Sequence, residues 1–257
     1  MGWRGQNSSL ARRSASQRLA LKSRQELASF TSVRDHRRAQ RVASLTVLAL
    51  SLVSVFAVTR PARAEGAGAQ LPIVKQALRD NCETAALSML LVARGVRVDQ
   101  LVLQRELPRS GPLDPVTAAD GSLRWGDPDR GFVGRADGGG TRGGYGVYTA
   151  PIKVLAARYG VTLNTLNRRD PSVLYRRIAS GLPVLVWVGL SNGPYLRWRS
   201  SQGKWIVGNF GEHTVVLTGI RGSSLSVNDP LRGVRTIWSR SAFETMWARL
   251  GRRALGI

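Results

Sequence analysis

The sequence predicts an α+β domain, and three observations carry that prediction. A run of strong helix formers follows Cys82, and three further segments open on helix-start signals at Asp99, Ala150-Pro151 and Asp170-Pro171. From residue 183 onward, short β-branched and aromatic segments alternate with Gly-containing turns. Helices first and an antiparallel sheet second is the α+β pattern. Hydrophobic residues make up 43% of the 257-residue chain, enough for a sizeable core.

The formal charge of +22 is unevenly placed. Residues 1–40 carry Arg4, Arg12, Arg13, Arg18, Lys22, Arg24, Arg34, Arg37 and Arg38 against Glu26 and Asp35, with many serines and little apolar periodicity. Such a segment does not pack a core. Residues 42–58 are then uncharged, just long enough to span a bilayer and somewhat long for a signal-peptide core. Arg60-Pro61-Ala62-Arg63-Ala64 follows, and Ala62-x-Ala64 suits signal-peptidase cleavage before Glu65. Arginines ahead of the apolar run keep the N-terminus cytoplasmic. The expected organisation is a basic segment with a signal peptide or membrane anchor at 1–64, a linker at 65–70 and one domain at 71–257. That domain is expected outside the cytoplasm, secreted or membrane-anchored. A cleaved signal, an uncleaved anchor and an organelle transit peptide all remain open at this stage.

Within the domain, Asp80 or Asn81 is expected to cap the Cys82 helix with its side chain, and Gly95 to stop it near Arg94. Asp99 caps a second helix through Glu106, ended by Pro108 and offering Leu101, Val102, Leu103 and Leu107 to the core. Residues 110–144 form a long loop with ordered turns at Trp125-Gly126-Asp127-Pro128 and Gly131-Phe132-Val133-Gly134. Ala150-Pro151 opens a helix closed by Gly160, and Asp170-Pro171 opens another closed by Gly181. Residues 183–188 are apolar on both faces and predict a central strand. Segments 195–199 and 204–207 alternate as a hairpin, and 213–220 with 225–228 form a second around Gly222. A further strand covers 234–238, and Ser241-x-x-Glu244 predicts a capping box for a last helix to Leu250.

Cys82 is the only cysteine. It reads either as a buried apolar residue or as a reactive thiol at a helix N-terminus, where the macrodipole favours an anion. That setting can lower a thiol pKa from about 8.5 to roughly 3.5–7.5 and make it alkylate at pH 6. In an exported chain a lone cysteine points to a free thiol or an intermolecular bridge. Downstream of the export segment the chain has one histidine, His213, at a strand start; Asp229 follows sixteen residues later at the end of the next strand. Individually they read as a structural histidine and a turn residue. Together they can supply a base and its orienting carboxylate, provided that the strand register puts both on one face. Gln76, six residues before Cys82, offers an amide N–H to a developing oxyanion.

Gln76-x5-Cys82, Gly211-Glu212-His213-Thr214-Val215-Val216 and Val227-Asn228-Asp229-Pro230 resemble the three motifs of the peptidase family C-39-like proteins. Supporting matches are Trp125-Gly126-Asp127-Pro128, Gly144-Tyr145-Gly146-Val147-Tyr148, Ala157-Arg158-Tyr159-Gly160 and Gly181-Leu182-Pro183-Val184. The resemblance covers residues 71–257 and implies a papain-like cysteine peptidase fold, with N-terminal helices packed on an antiparallel sheet. It implies Cys82 as nucleophile, His213 as base, Asp229 as orienter and Gln76 as oxyanion-hole donor. Many members have Gly after the cysteine; this chain has Glu83, as in stand-alone members. The branch that trims bacteriocin leaders is fused to an ABC transporter, and this sequence carries no such segment.

The expected function is therefore an exported thiol hydrolase that cleaves a peptide or amide bond through an acyl-enzyme. The alternative is a catalytically silent papain-like module that binds peptide or cell-envelope material. Expected partners are a peptide or protein substrate, and the membrane if the N-terminal segment stays attached. Nucleic acid is not expected, since much of the charge lies in the targeting segment and no recognition motif accompanies it. No cofactor is expected, and one Cys with one His and no carboxylate at ligand spacing makes a poor zinc site.

Overall fold

The computed structural model describes residues 69–138 and 143–257. The expected basic segment and apolar run at 1–64, and most of the linker at 65–70, lie outside the described residues. Among the described residues no helix is long and apolar enough to cross a membrane.

The described chain opens as an extended stretch and enters α1 (Cys82–Val92), followed by α2 (Gln100–Glu106). Ten of the eleven residues of α1 are buried, so this helix is enclosed on all sides rather than presenting one apolar stripe. Asp99 caps α2 through its side chain, as expected, and Leu103 and Leu107 are its buried contacts, with Leu101 and Val102 half-buried. The long loop that follows contains two short strands, β1 (Val116–Thr117) and β2 (Leu123–Arg124). Next come α3 (Thr149–Arg158), β3 (Asn164–Thr165) and α4 (Pro171–Ala179), the last with Asp170 as side-chain cap. Six strands succeed one another: β4 (Val184–Gly189), β5 (Tyr195–Arg199), β6 (Trp205–Asn209), β7 (Glu212–Arg221), β8 (Ser224–Asp229) and β9 (Val234–Ser239). The described chain closes with α5 (Arg240–Arg249) and β10 (Ala254–Gly256).

The strands form two sheets. Six of them pair in the order β3-β10-β4-β7-β8-β9, antiparallel throughout. The other four pair as β1-β2-β5-β6, with one parallel contact between β2 and β5. The central strand expected at 183–188 is β4, every residue of which is buried. Its alternation divides the core: Leu185 and Trp187 face a cluster with α1, while Val184, Val186 and Val188 face Phe243 and Trp247 of α5 and Leu174 and Ile178 of α4. The result is a helix–sheet–helix sandwich, so the α+β assignment holds.

One local expectation is corrected. The C-terminal helix starts at Arg240 with Ser239 as its cap, accepting from the N–H of Ala242, and not at a Ser241 capping box. Glu244 instead accepts the Tyr175 hydroxyl at 2.6 Å, a tertiary bond that outweighs the local motif. The edge strand β3 and its neighbour β10 carry too few residues to show a period. The loop at 110–144 is ordered where described, because Trp125 and Trp198 pack edge to face with centroids 5.4 Å apart and donate to carbonyls of Pro112 and Gly126.

Candidate active site

Cys82 is the first residue of α1, with Asn81 in the cap position. The helix starts where expected, but by a different device. The side chain of Asn81 makes no cap bond; its Oδ1 accepts from the N–H of Leu78, and its Nδ2 donates to Gln100 at 2.9 Å and Thr84 at 3.3 Å. Asp80 turns away to accept the N–H of Gly144, and burial pushes its carboxyl up to about 6. The segment before the helix is pinned to the sheet: the N–H of Gln76 donates to Pro230, that of Ala69 to Thr218, and Asn228 donates to the carbonyl of Pro72. These bonds hold the helix N-terminus against the ends of β7 and β8.

The thiol itself is buried, and its hydrogen bonds run to carboxylates. Sγ lies 3.5 Å from Oε2 of Glu83 and 4.0 Å from Oε2 of Glu212. Glu83 is fully buried, and its other oxygen accepts the N–H of Val147 at 2.7 Å. Glu212 accepts the hydroxyl of Thr214 at 3.2 Å. Burial pushes the Cys82 thiol well above its usual value; the Glu212 and Glu83 carboxylates add to this, and the N–H of Thr214 works against it. Burial also raises both glutamates, Glu83 to about 7 and Glu212 well above its usual value, and the charge of Glu83 adds to the rise at Glu212. The direction is opposite to the depressed thiol pKa expected from the helix N-terminus. The helix N-terminus is present, but enclosure and two acidic neighbours overrule it.

Gly146 makes room for this cluster. Its φ is +108°, and a Cβ there would lie 2.2 Å from Oε1 of Glu83 and 3.4 Å from Oε2 of Glu212. Donor atoms of Cys82, Glu83 and Glu212 all lie within 4.8 Å of one another, a spacing that metal ligands can share. Two carboxylates, Glu83 and Glu212, thus stand at ligand spacing from the thiol, contrary to the expectation of none.

His213 and Asp229 meet. Nε2 of the imidazole lies 2.8 Å from Oδ1 of Asp229, both side chains being buried. Burial alone would raise the Asp229 carboxyl; the bond and charge of His213, with N–H donors from Arg232 and Leu231, outweigh it and leave the pKa below the usual value. A carboxylate at Nε2 makes that nitrogen the proton carrier and leaves Nδ1 as the free base of the neutral ring. Arg232, 4.0 Å from the other Asp229 oxygen, is a surface contribution.

Gln76, Cys82 and His213 line one cavity of about 90 Å³, together with Tyr145, Glu212 and Leu231. Three of the four predicted site residues therefore share a cavity, and the fourth, Asp229, bonds the third. Gln76 holds its donors differently from expectation: Nε2 donates to the carbonyls of Leu78 at 3.0 Å and Arg79 at 2.6 Å, and its buried Oε1 has no partner. The N–H of Cys82, at the first helical position, has no intrahelical acceptor.

Sequence reasoning passed over Glu83 and Glu212 as members of the site. A signal was available: His213 reaches the thiol's cavity from the end of β7, and alternation sets its neighbour Glu212, with Thr214, on the other face of the strand. That face carries α1, as Val216 shows by packing in its cluster.

The description "Peptidase_C39 like family" matches residues 69–255. The uncharacterized protein YvpB of Bacillus subtilis is 30% identical over 184 residues, which span 70% of each chain. A crystal structure from Bacillus anthracis, described as that of a candidate C39-like peptidase, superimposes with a TM-score of 0.62. It is 28% identical, and the match covers 73% of this chain and 94% of that one.

Proposed function

Because the chain belongs to the Peptidase_C39 like family, we propose that it is a thiol hydrolase that cleaves a peptide or amide bond through an acyl-enzyme on Cys82. The observation that carries this reading is the His213–Asp229 pair, 2.8 Å apart, on the cavity that Cys82 lines. In the proposed reaction Nδ1 of His213 takes the thiol proton as sulfur attacks the carbonyl carbon. The imidazolium, held by Asp229, then gives that proton to the leaving amine as the C–N bond breaks. Water attacks the thioester next, passing a proton to His213, and Cys82 leaves with a proton restored. The N–H of Cys82 and the carboxamide of Gln76, once released from Leu78 and Arg79, are the proposed donors to the oxyanion. The substrate is a peptide or protein, and the domain is proposed to act outside the cytoplasm, anchored or secreted through the segment at 42–58.

A second reading has its own support. A neutral thiol bonded to Glu83, and a Gln76 donor engaged with loop carbonyls, fit a silent module that binds peptide without turning it over. Incubation of the full-length protein with a peptide library, followed by mass spectrometry of products, separates the two. The hydrolase reading expects cleavage that disappears in Cys82→Ala. Cleavage of nothing, with peptide still retained by the protein, supports the silent module.

A further inference from the structure

A larger cavity near the site, about 410 Å³, is not the one that holds Cys82. The two meet at a tyrosine pair: Tyr145 lines the thiol's cavity and Tyr148 the larger one, with their hydroxyls 2.5 Å apart. The larger cavity is bounded by two kinds of wall. Tyr195 and Trp205, on the β5–β6 hairpin, expose 50% and 41% of their surface there or nearby. Facing groups include Arg168, Arg249 and Arg253, contributed by the loop after β3, the end of α5 and the residue just before β10.

The charges of this cavity do not cancel. Its two acids are Asp127 and Asp129, and Lys204 already meets both, at 3.2 Å and 2.8 Å. None of the three arginines has a carboxylate within 4 Å among the described residues. Two of them are nevertheless held in place. Nη1 of Arg249 donates to the carbonyl of Gly189 at 3.0 Å, and Nη1 of Arg253 to that of Leu250 at 2.5 Å. The Arg253 guanidinium also lies 3.6 Å from the centre of the Tyr148 ring. Carbonyls and a ring face orient these groups without neutralising them, and each guanidinium has five N–H donors of which these bonds use one. Arg168 sits in the left-handed region, φ 57°, with its N–H donated to Arg252, itself at φ 56°. Such a backbone is disfavoured for a residue with a side chain and persists only where its surroundings hold it.

We propose that this cavity is a binding site for an oxyanion group, a carboxylate or phosphate, gripped by Arg168, Arg249 and Arg253 and flanked by Trp205. Guanidinium forks match both oxyanions in shape and charge, and the volume falls in the range of small-ligand sites. The site does not depend on Cys82 being a nucleophile.

Calorimetric titration of the full-length protein tests it, with inorganic phosphate in one arm and N-acetylglutamate in the other. Sodium chloride at matched ionic strength is the control. Saturable heat above that control is expected in at least one arm. Phosphate alone identifies a phosphate site, N-acetylglutamate alone a carboxylate site, and both a general oxyanion site. Arg168→Gln, which removes an exposed side chain, and Arg249→Gln should each weaken binding about tenfold or more, while Cys82→Ala binds as wild type. No saturable binding in either arm, or equal affinity in wild type and Arg168→Gln, overturns the proposal. Neither result bears on peptide cleavage, which is read separately.

Discussion

His213 and Asp229 share a face of the sheet because β7 carries one extra residue, Thr218. Near the turn, Arg221 pairs with Ser224, Ile220 with Leu225 and Gly219 with Ser226; beyond the irregularity, Leu217 pairs with Val227 and Val216 with Asn228. Without that shift the ladder would set Asp229 opposite Val216, whose side chain points away from His213. With it, Asp229 aligns with Val215, two residues from His213 and on the same face. Thr218 is secured where it stands: its carbonyl accepts the N–H of Ala69 at 2.9 Å, and its hydroxyl donates to Ser226 at 3.2 Å.

The pair should matter more to turnover than to folding. Asp229→Asn removes the charge that holds the imidazole and should lower turnover roughly 10²-fold or more, within the range of general acid–base contributions. Steady-state kinetics on the cleaved peptide checks this, with circular dichroism confirming the fold. Turnover within threefold of wild type would make Asp229 a turn residue only.

The carboxyl cluster predicts an unusual pH profile of stability. Glu83 in the folded protein has its pKa raised from 4.5 to about 7, and Asp80 from 3.8 to about 6. Folded protein therefore binds protons that the unfolded chain has released, so stability falls as pH rises from about 4.5 to 7. Asp229 acts in the opposite sense, its lowered pKa contributing stability that is lost as pH falls below its unfolded value. Urea denaturation should show a maximum on the acid side of neutrality. Glu212→Gln should flatten the fall, because it removes one carboxyl from the pocket. A maximum at or above pH 8 in wild type contradicts the cluster.

Gly146→Ala should destabilise the fold by about 1–3 kcal/mol. The added methyl would meet Glu83 Oε1 at 2.2 Å, on a backbone with φ +108°. Thermal or urea midpoints measure this. An unchanged midpoint would show that the cluster moves freely and does not fix the thiol.

Gln76→Ala separates a loop role from a catalytic one. Losing the bonds to Leu78 and Arg79 should cost about 1 kcal/mol of stability. Losing an oxyanion donor should also lower turnover roughly 10²-fold while covalent trapping of Cys82 persists. Unchanged turnover with lowered stability assigns Gln76 to the loop alone.

Much of the fold was legible because its signals are local. Asp99 and Asp170 cap helices through their side chains, and β4 is buried on both faces as its run of apolar residues requires. What was not legible depended on tertiary geometry. Even register between His213 and Asp229 was a condition that the sequence could state but not decide, since a one-residue bulge at Thr218 settles it. The four-stranded sheet needed β1 and β2, two residues each and without a period. The rise in the Cys82 pKa comes first from enclosure of the thiol and then from Glu212, 130 residues away in sequence, and from Glu83, none of which a helix-terminus rule sees.

Covalent trapping of Cys82 tests the central claim most directly. The full-length protein is treated with a peptide-linked electrophile across pH 6–9, and the modified residue is identified by mass spectrometry. A catalytic site predicts labelling at Cys82 in the folded protein that slows about 100-fold in His213→Ala and in which Glu212→Gln shifts the pH midpoint downward. Labelling that is equally fast in His213→Ala, or that occurs only after denaturation, would contradict the account and leave Cys82 as a buried structural thiol.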